Sequence, residues 1–221
     1  MNNSCHLHLA ESIVYKIVAV ISSVGLLINI LNITIFIKII QATAKYDSGH
    51  MFKYLLFKSI DDLIQFLTLI LSPIYYNHTN SKLGSYWYIW LFRYIKSVFE
   101  LSSSYMQCTA TFDCYITIKN FIRCCRTDVF AYSLIIVTHV FCFVFYSFWI
   151  MAFEMSDGAA NVKRTSFYFS EMKYFLIIHG VLEEFIPIFV LICLNFLILM
   201  TIKQSIRNKR KYHVNPSKFL E

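Results

Sequence analysis

Five long apolar runs, each interrupted by only a few polar side chains, divide this sequence. The first extends from Ile13 to Ile37, broken by Lys16 and a few small polar residues. The second, Tyr54 to Tyr76, carries Lys58, Asp61, Asp62 and Gln65 and ends in Ser72-Pro73. The third runs from about Tyr86 to Ile118, with Arg93 and Lys96 near its start. The fourth, Phe130 to Phe153, has no formal charge, and the fifth, Tyr174 to Ile202, contains Glu183, Glu184 and Pro187. About 20 apolar residues suffice to cross the hydrocarbon core, and a lone strand would leave its backbone unpaired there. The pattern predicts an all-α polytopic transmembrane bundle of about five helices, over 13–38, 52–76, 86–120, 129–154 and 173–205, forming one domain across 1–221.

Composition agrees with that reading. Apolar residues make up 57% of the chain and charged ones 15%, against roughly 25% charge in a soluble domain. So few charges could not cover the outside of a water-soluble protein of this length. The N-terminus, Met1 to Glu11, has no basic segment of the secretory-signal kind. A net charge of +7 would point to nucleic acid in a soluble protein. Here the basic residues flank apolar runs, so the lipid bilayer is the expected partner and nucleic acid is not.

The loops set an orientation. Twelve Lys and Arg, including Lys38, Lys53, Arg123, Arg126 and Lys209 to Lys211, lie between runs one and two, between three and four, and in the tail. Four, Lys82, Lys163, Arg164 and Lys173, lie on the other side. Basic loops stay cytoplasmic, so the N-terminus is expected outside and the C-terminus inside, at the plasma membrane. The sequons at Asn2 and Asn77 both fall on the expected outside and mark a glycoprotein, whereas that at Asn32 lies within a span. Cys124 and Cys125, between Arg123 and Arg126, are palmitoylation candidates beside the membrane. The seven cysteines show neither a zinc spacing nor a disulfide framework. No nucleophile-and-base arrangement appears either, so no metal, cofactor or enzymatic activity is expected.

Two polar stripes carry candidate binding chemistry. In run three, Lys96, Glu100, Ser104, Gln107 and Thr111 recur at three- and four-residue steps, so they share a helix face. In run five, Gly180, Glu184, Pro187, Leu191 and Asn195 share another. Polar groups inside a membrane turn away from lipid. The stripes therefore describe either an interhelical network or a cavity that binds a polar or cationic extracellular ligand through Lys96, Glu100, Ser104, Gln107 and Glu184.

Several motifs give these runs a family likeness. Gly25-Leu26-Leu27-Ile28-Asn29 resembles the Gly/Asn signature in helix one of rhodopsin-like G-protein-coupled receptors. Asp62, with Pro73 eleven residues on, looks like that family's helix-two aspartate and proline. Asp113-Cys114-Tyr115 stands where the family has Asp-Arg-Tyr, and Pro187 resembles its helix-five proline. The likeness covers the first five helices and is nearest to divergent invertebrate peptide or chemosensory receptors. It implies an extracellular ligand, signal transduction to a heterotrimeric G protein through Asp113, Cys114 and Tyr115, and a sodium candidate at Asp62. Departures accompany it: Cys114 replaces the family's Arg, helices six and seven are absent, and the helix-three disulfide has no cysteines. These departures imply a chain that activates G proteins inefficiently by itself and associates with copies of itself or with other receptors. The alternatives in other classes are a non-signalling truncated receptor acting as an oligomerisation partner and a small transporter or channel subunit.

Overall fold

The computed structural model describes residues 2–43, 50–77, 88–119, 127–155, 162–164 and 166–214. The chain is an all-α bundle of five long helical units joined in sequence order. Helix α1 spans Asn2–Thr43 and α2 His50–Asn77. The third unit opens as a π-helical stretch, Tyr88–Ile95, and continues as α3, Lys96–Lys119. Helix α4 covers Asp128–Ala152. The fifth unit consists of α5, Ser166–Gly180, a π turn at Val181–Phe185, and α6, Ile186–Val214. Between α4 and α5 two three-residue strands, β1 (Phe153–Met155) and β2 (Val162–Arg164), pair antiparallel with Glu154 opposite Lys163. This strand pair and Thr127, just before α4, are the departures from helical structure among the described residues.

Helices α1 and the fifth unit run well beyond the apolar stretches that announced them. Intrahelical hydrogen bonding continues past the hydrophobic edge, because the next residues carry neither Pro nor Gly to stop it. Of the five units, three are long and apolar enough to cross a membrane by length and composition: Lys16–Thr43, Asp128–Ala152 and Lys173–Arg207. This is a membrane protein. Helices α2 and α3 are span-length but more polar, and the packing explains why they can be. Helix α3 contacts α2, α4 and α6, while α2 lies between α1 and α3. Inner helices meet protein on several sides and can carry charge; outer ones meet lipid and cannot.

The outward faces of α1, α4 and α6 are correspondingly greasy. Leu27, Val144 and Ile192 are 66%, 65% and 63% exposed, in company with many other large apolar side chains. Such a surface would aggregate in water and is ordinary in hydrocarbon. The interior holds two apolar clusters. One joins Tyr94, Val98 and Leu101 to Cys142, Tyr146, Trp149 and Phe175. The other joins Tyr54 of α2, Met106 and Ala110 of α3, and Ala131 and Ile135 of α4. Helices α1 and α2 approach closely at Gly25, where an added Cβ would lie 2.6 Å from the Phe66 ring.

Candidate functional site

The fifth unit owes its shape to Pro187. A proline has no N–H, so the carbonyl four residues back loses its α-helical partner. Here the turn before it widens to π geometry, and the Ile186 N–H reaches the Val181 carbonyl. Single π turns of this kind are one recognised way a helix accommodates an interruption. The carbonyl of Pro187 itself accepts from the Cys108 thiol of α3 at 3.7 Å. The π turn carries Glu183 and Glu184, both of which line a cavity beside α3.

Between α2, α3 and the fifth unit lies an open cavity of about 390 Å³. Its walls include Lys58 of α2, Glu100, Ser103, Ser104 and Gln107 of α3, and Glu183, Glu184, Pro187 and Leu191. Four residues of the expected ligand set, Glu100, Ser104, Gln107 and Glu184, therefore meet at one place. The fifth, Lys96, bonds Glu100 at 2.5 Å from one helical turn away. Thr111 of the first stripe and Gly180 and Asn195 of the second do not line it.

The charges around this cavity are mostly matched. Lys58 bonds Asp62 at 2.5 Å, and Ser103 donates to the other oxygen of the same carboxylate. Glu183 takes the Tyr146 hydroxyl at 3.0 Å and His179 Nε2 at 2.8 Å on a single oxygen. Glu184 alone among these carboxylates has neither an ion pair nor a hydrogen bond among the described residues. A second cavity, about 370 Å³, adjoins the first through the shared Lys58 and Gln107 and is lined by Gly25, Asn29, Asn32 and Asp62. The Asp62 carboxylate, the sodium candidate, thus already carries a lysine and a serine. Asn29 is 6% exposed and donates to the Gly25 carbonyl of its own helix at 2.9 Å.

The neighbouring Asp61 forms a cluster that sequence reading did not single out. It is 1% exposed and accepts from Ser102 at 2.7 Å, while His139 Nε2 lies 3.1 Å from each of these two side chains. His139 Nδ1 is 2.8 Å from the Ile135 carbonyl, so that nitrogen carries hydrogen. The triangle ties α2, α3 and α4 together at the bundle interior. Phe57 and Phe99 stand edge-on to the imidazole, with ring centres 6.2 and 6.3 Å away. Its signal was present in the sequence: two consecutive carboxylates within one span need two partners, and Ser102-Ser103 in the next supplies them in register. The only histidine of the otherwise charge-free fourth run completes the set.

At the opposite end of α3, Asp113 is partly buried and lines a separate apolar cavity, and Cys114 and Tyr115 follow it on the helix. Lys119 lies over the Tyr115 ring at 5.4 Å. The backbone of Asn2 opens α1 and that of Asn77 closes α2, whereas Cys124 and Cys125 lie outside the described residues. No family model matches this chain, and no curated protein matches it either.

Proposed function

We propose that this protein is a receptor-like membrane protein, of the rhodopsin-like type its motifs resemble, that admits an extracellular polar or cationic ligand to the cavity between α2, α3 and α6. The observation that carries the reading is the convergence of Glu100, Ser104, Gln107 and Glu184 from two separate helices on one open cavity. Glu184, the carboxylate left without a partner, favours a positive group on the ligand. The central position of α3, which touches α2, α4 and α6, suits a helix that passes a binding event along its length toward Asp113 and Tyr115. In this reading the N-terminus is outside, at the plasma membrane, and the end of α3 faces a heterotrimeric G protein.

The test is access. Ser104→Cys, expressed in intact cells, should react with a membrane-impermeant methanethiosulfonate reagent added outside, above the background of the native cysteines. A cationic reagent should react faster than an anionic one, each rate normalised to free thiol, and Glu184→Gln should narrow that preference. Labelling of Ser104→Cys only from the cytoplasmic side would refute the outward-facing cavity. G-protein recruitment on exposure to extracellular amines and peptides separates a receptor from an oligomerisation partner, and an ion-flux assay separates both from a channel subunit.

A further inference from the structure

Both neighbours of Glu183 sit on the same carboxylate oxygen. Tyr146 of α4 and His179, at the end of α5, bond its Oε2 at 3.0 and 2.8 Å. The other oxygen has no partner among the described residues, and the side chain lines the α2–α3–α6 cavity. His179 does not line that cavity. It stands edge-on to the Tyr146 and Phe175 rings, whose centres are 5.5 and 6.0 Å away. A carboxylate only accepts, so Nε2 carries hydrogen in this contact. That is true of the neutral imidazole with its hydrogen on Nε2 and equally of the imidazolium. Protonation at Nδ1 therefore adds a positive charge beside Glu183 without breaking a bond.

The surrounding charges make that one unit matter. On α2, Lys58 is matched by Asp62, and on α3, Glu100 is matched by Lys96. Helix α4 contributes Tyr146, the buried Cys142, and His139, which Asp61 engages. From the π-helical stretch before α3, Arg93 stands over the Trp149 ring at 5.6 Å. Glu183 and Glu184 are then the two carboxylates of the cavity wall without a matching cation, unless His179 is protonated. Among the described residues, His179 is the one imidazole in contact with a carboxylate of that wall.

We infer that His179 is the residue that sets which ligand charge the cavity selects, an inference that rests on the reading of this cavity as a ligand site. With His179 neutral, Glu183 and Glu184 together suit a ligand bearing two positive groups. With His179 protonated, Glu183 is matched from within the protein, and Glu184 is left for a single positive group. Imidazoles change charge between about pH 5 and 8, so the preference for a dication is strongest at the upper end and fades toward the lower.

The Ser104→Cys chain in phosphatidylcholine nanodiscs, where reagent reaches both faces, reads the charge of the cavity. Cationic and anionic methanethiosulfonates of fixed charge react with the same thiol, so the ratio of their rates does not depend on its ionisation. Rates of the chain that keeps Ser104 are subtracted. The ratio should fall about fivefold from pH 8 to pH 5.5, as expected for one added charge near the thiol. His179→Gln, which keeps an N–H for Glu183, should hold the ratio at its high value throughout, with thermal unfolding confirming that the variant is folded. Putrescine should slow the labelling more than n-butylamine at pH 8, and its advantage should be lost at pH 5.5 unless His179 is replaced. A flat ratio in the chain that keeps His179, or a fall that persists in His179→Gln, would overturn the assignment. Equal protection by the two amines at pH 8 would overturn the selection of a dication. No reaction of Ser104→Cys from either face would overturn the cavity as a ligand site, and this assignment with it.

Discussion

Asp61 and Asp62 are consecutive in sequence and meet different partners, because successive residues on a helix point about 100° apart. Asp61 turns inward to Ser102 and His139; Asp62 turns toward Lys58, Ser103 and the cavity beside α1. Each carboxylate is compensated where it stands, which membrane interiors require. Replacing His139 by Leu leaves Asp61 buried without its imidazole, and removing one partner of a buried pair costs about 3–5 kcal/mol. Asp61→Asn should cost much less, since an amide can accept from Ser102 and donate to the ring nitrogen. Thermal unfolding in nanodiscs reads the difference, and equal losses for the two variants would show that the triangle is packing alone. Asp61 could be suspected from its sequence neighbour, but its inward direction could not be read without the rotation of α2 about its axis.

At the scale of elements, two local features set how the helices meet. Gly25 lets α1 close on α2, and a methyl there would press on the Phe66 ring at 2.6 Å. Gly25→Ala should therefore destabilise by about 1–3 kcal/mol, as overpacking does. Phe66→Ala in the same chain should remove most of that penalty, and an additive pair would disprove the contact. Pro187 sets the other feature. Pro187→Ala restores the missing N–H and should let the π turn relax to α geometry. Losing one bulged residue rotates the preceding segment by about 100° relative to α6, which carries Glu183 away from Tyr146. Tyr146→Phe should then cost about 1 kcal/mol in the native chain and close to nothing in Pro187→Ala. An undiminished cost in the double variant would mean that the turn does not position Glu183. The proline is legible in the sequence, and so is a helix interruption. That the interruption takes π form, and sets Glu183 on Tyr146 of α4 and Glu184 on the cavity wall, depends on the packing of the fifth unit against its neighbours.

For the whole molecule, the governing contrast is between outer helices that face lipid and inner ones that carry polar chemistry. Three units satisfy the length and apolarity of a membrane span outright. Helices α2 and α3 complete the bundle with charges that find one another: Lys58 with Asp62 and Lys96 with Glu100. Near one end Lys53 of α2 bonds Asp128 at the start of α4 and lies 5.1 Å over the Tyr132 ring. The expected topology has five crossings with the N-terminus outside. Engineered acceptor sites near Asn77 and Gly158 should be glycosylated in cells, and sites near Tyr46 or in the tail should not. A modified tail would reverse the orientation or change the number of crossings, and with it the side from which the α2–α3–α6 cavity is reached.

What the sequence determined by itself was the lipid environment and the succession of five helical units. Both follow from runs of apolar residues long enough to cross hydrocarbon and from the rule that buried backbone must bond within its own segment. It also determined the two polar stripes on the third and fifth units, since the period of a helix is a property of sequence alone. Only the tertiary structure decided that Glu100, Ser104, Gln107 and Glu184 share a cavity, and that Asp61 rather than Asp62 closes a triangle with Ser102 and His139. The physical reason is that periodicity fixes which residues lie together on one helix. The rotation and crossing of each helix against its neighbours are set by contacts between residues far apart in the chain, such as Gly25 with Phe66 and Cys108 with Pro187.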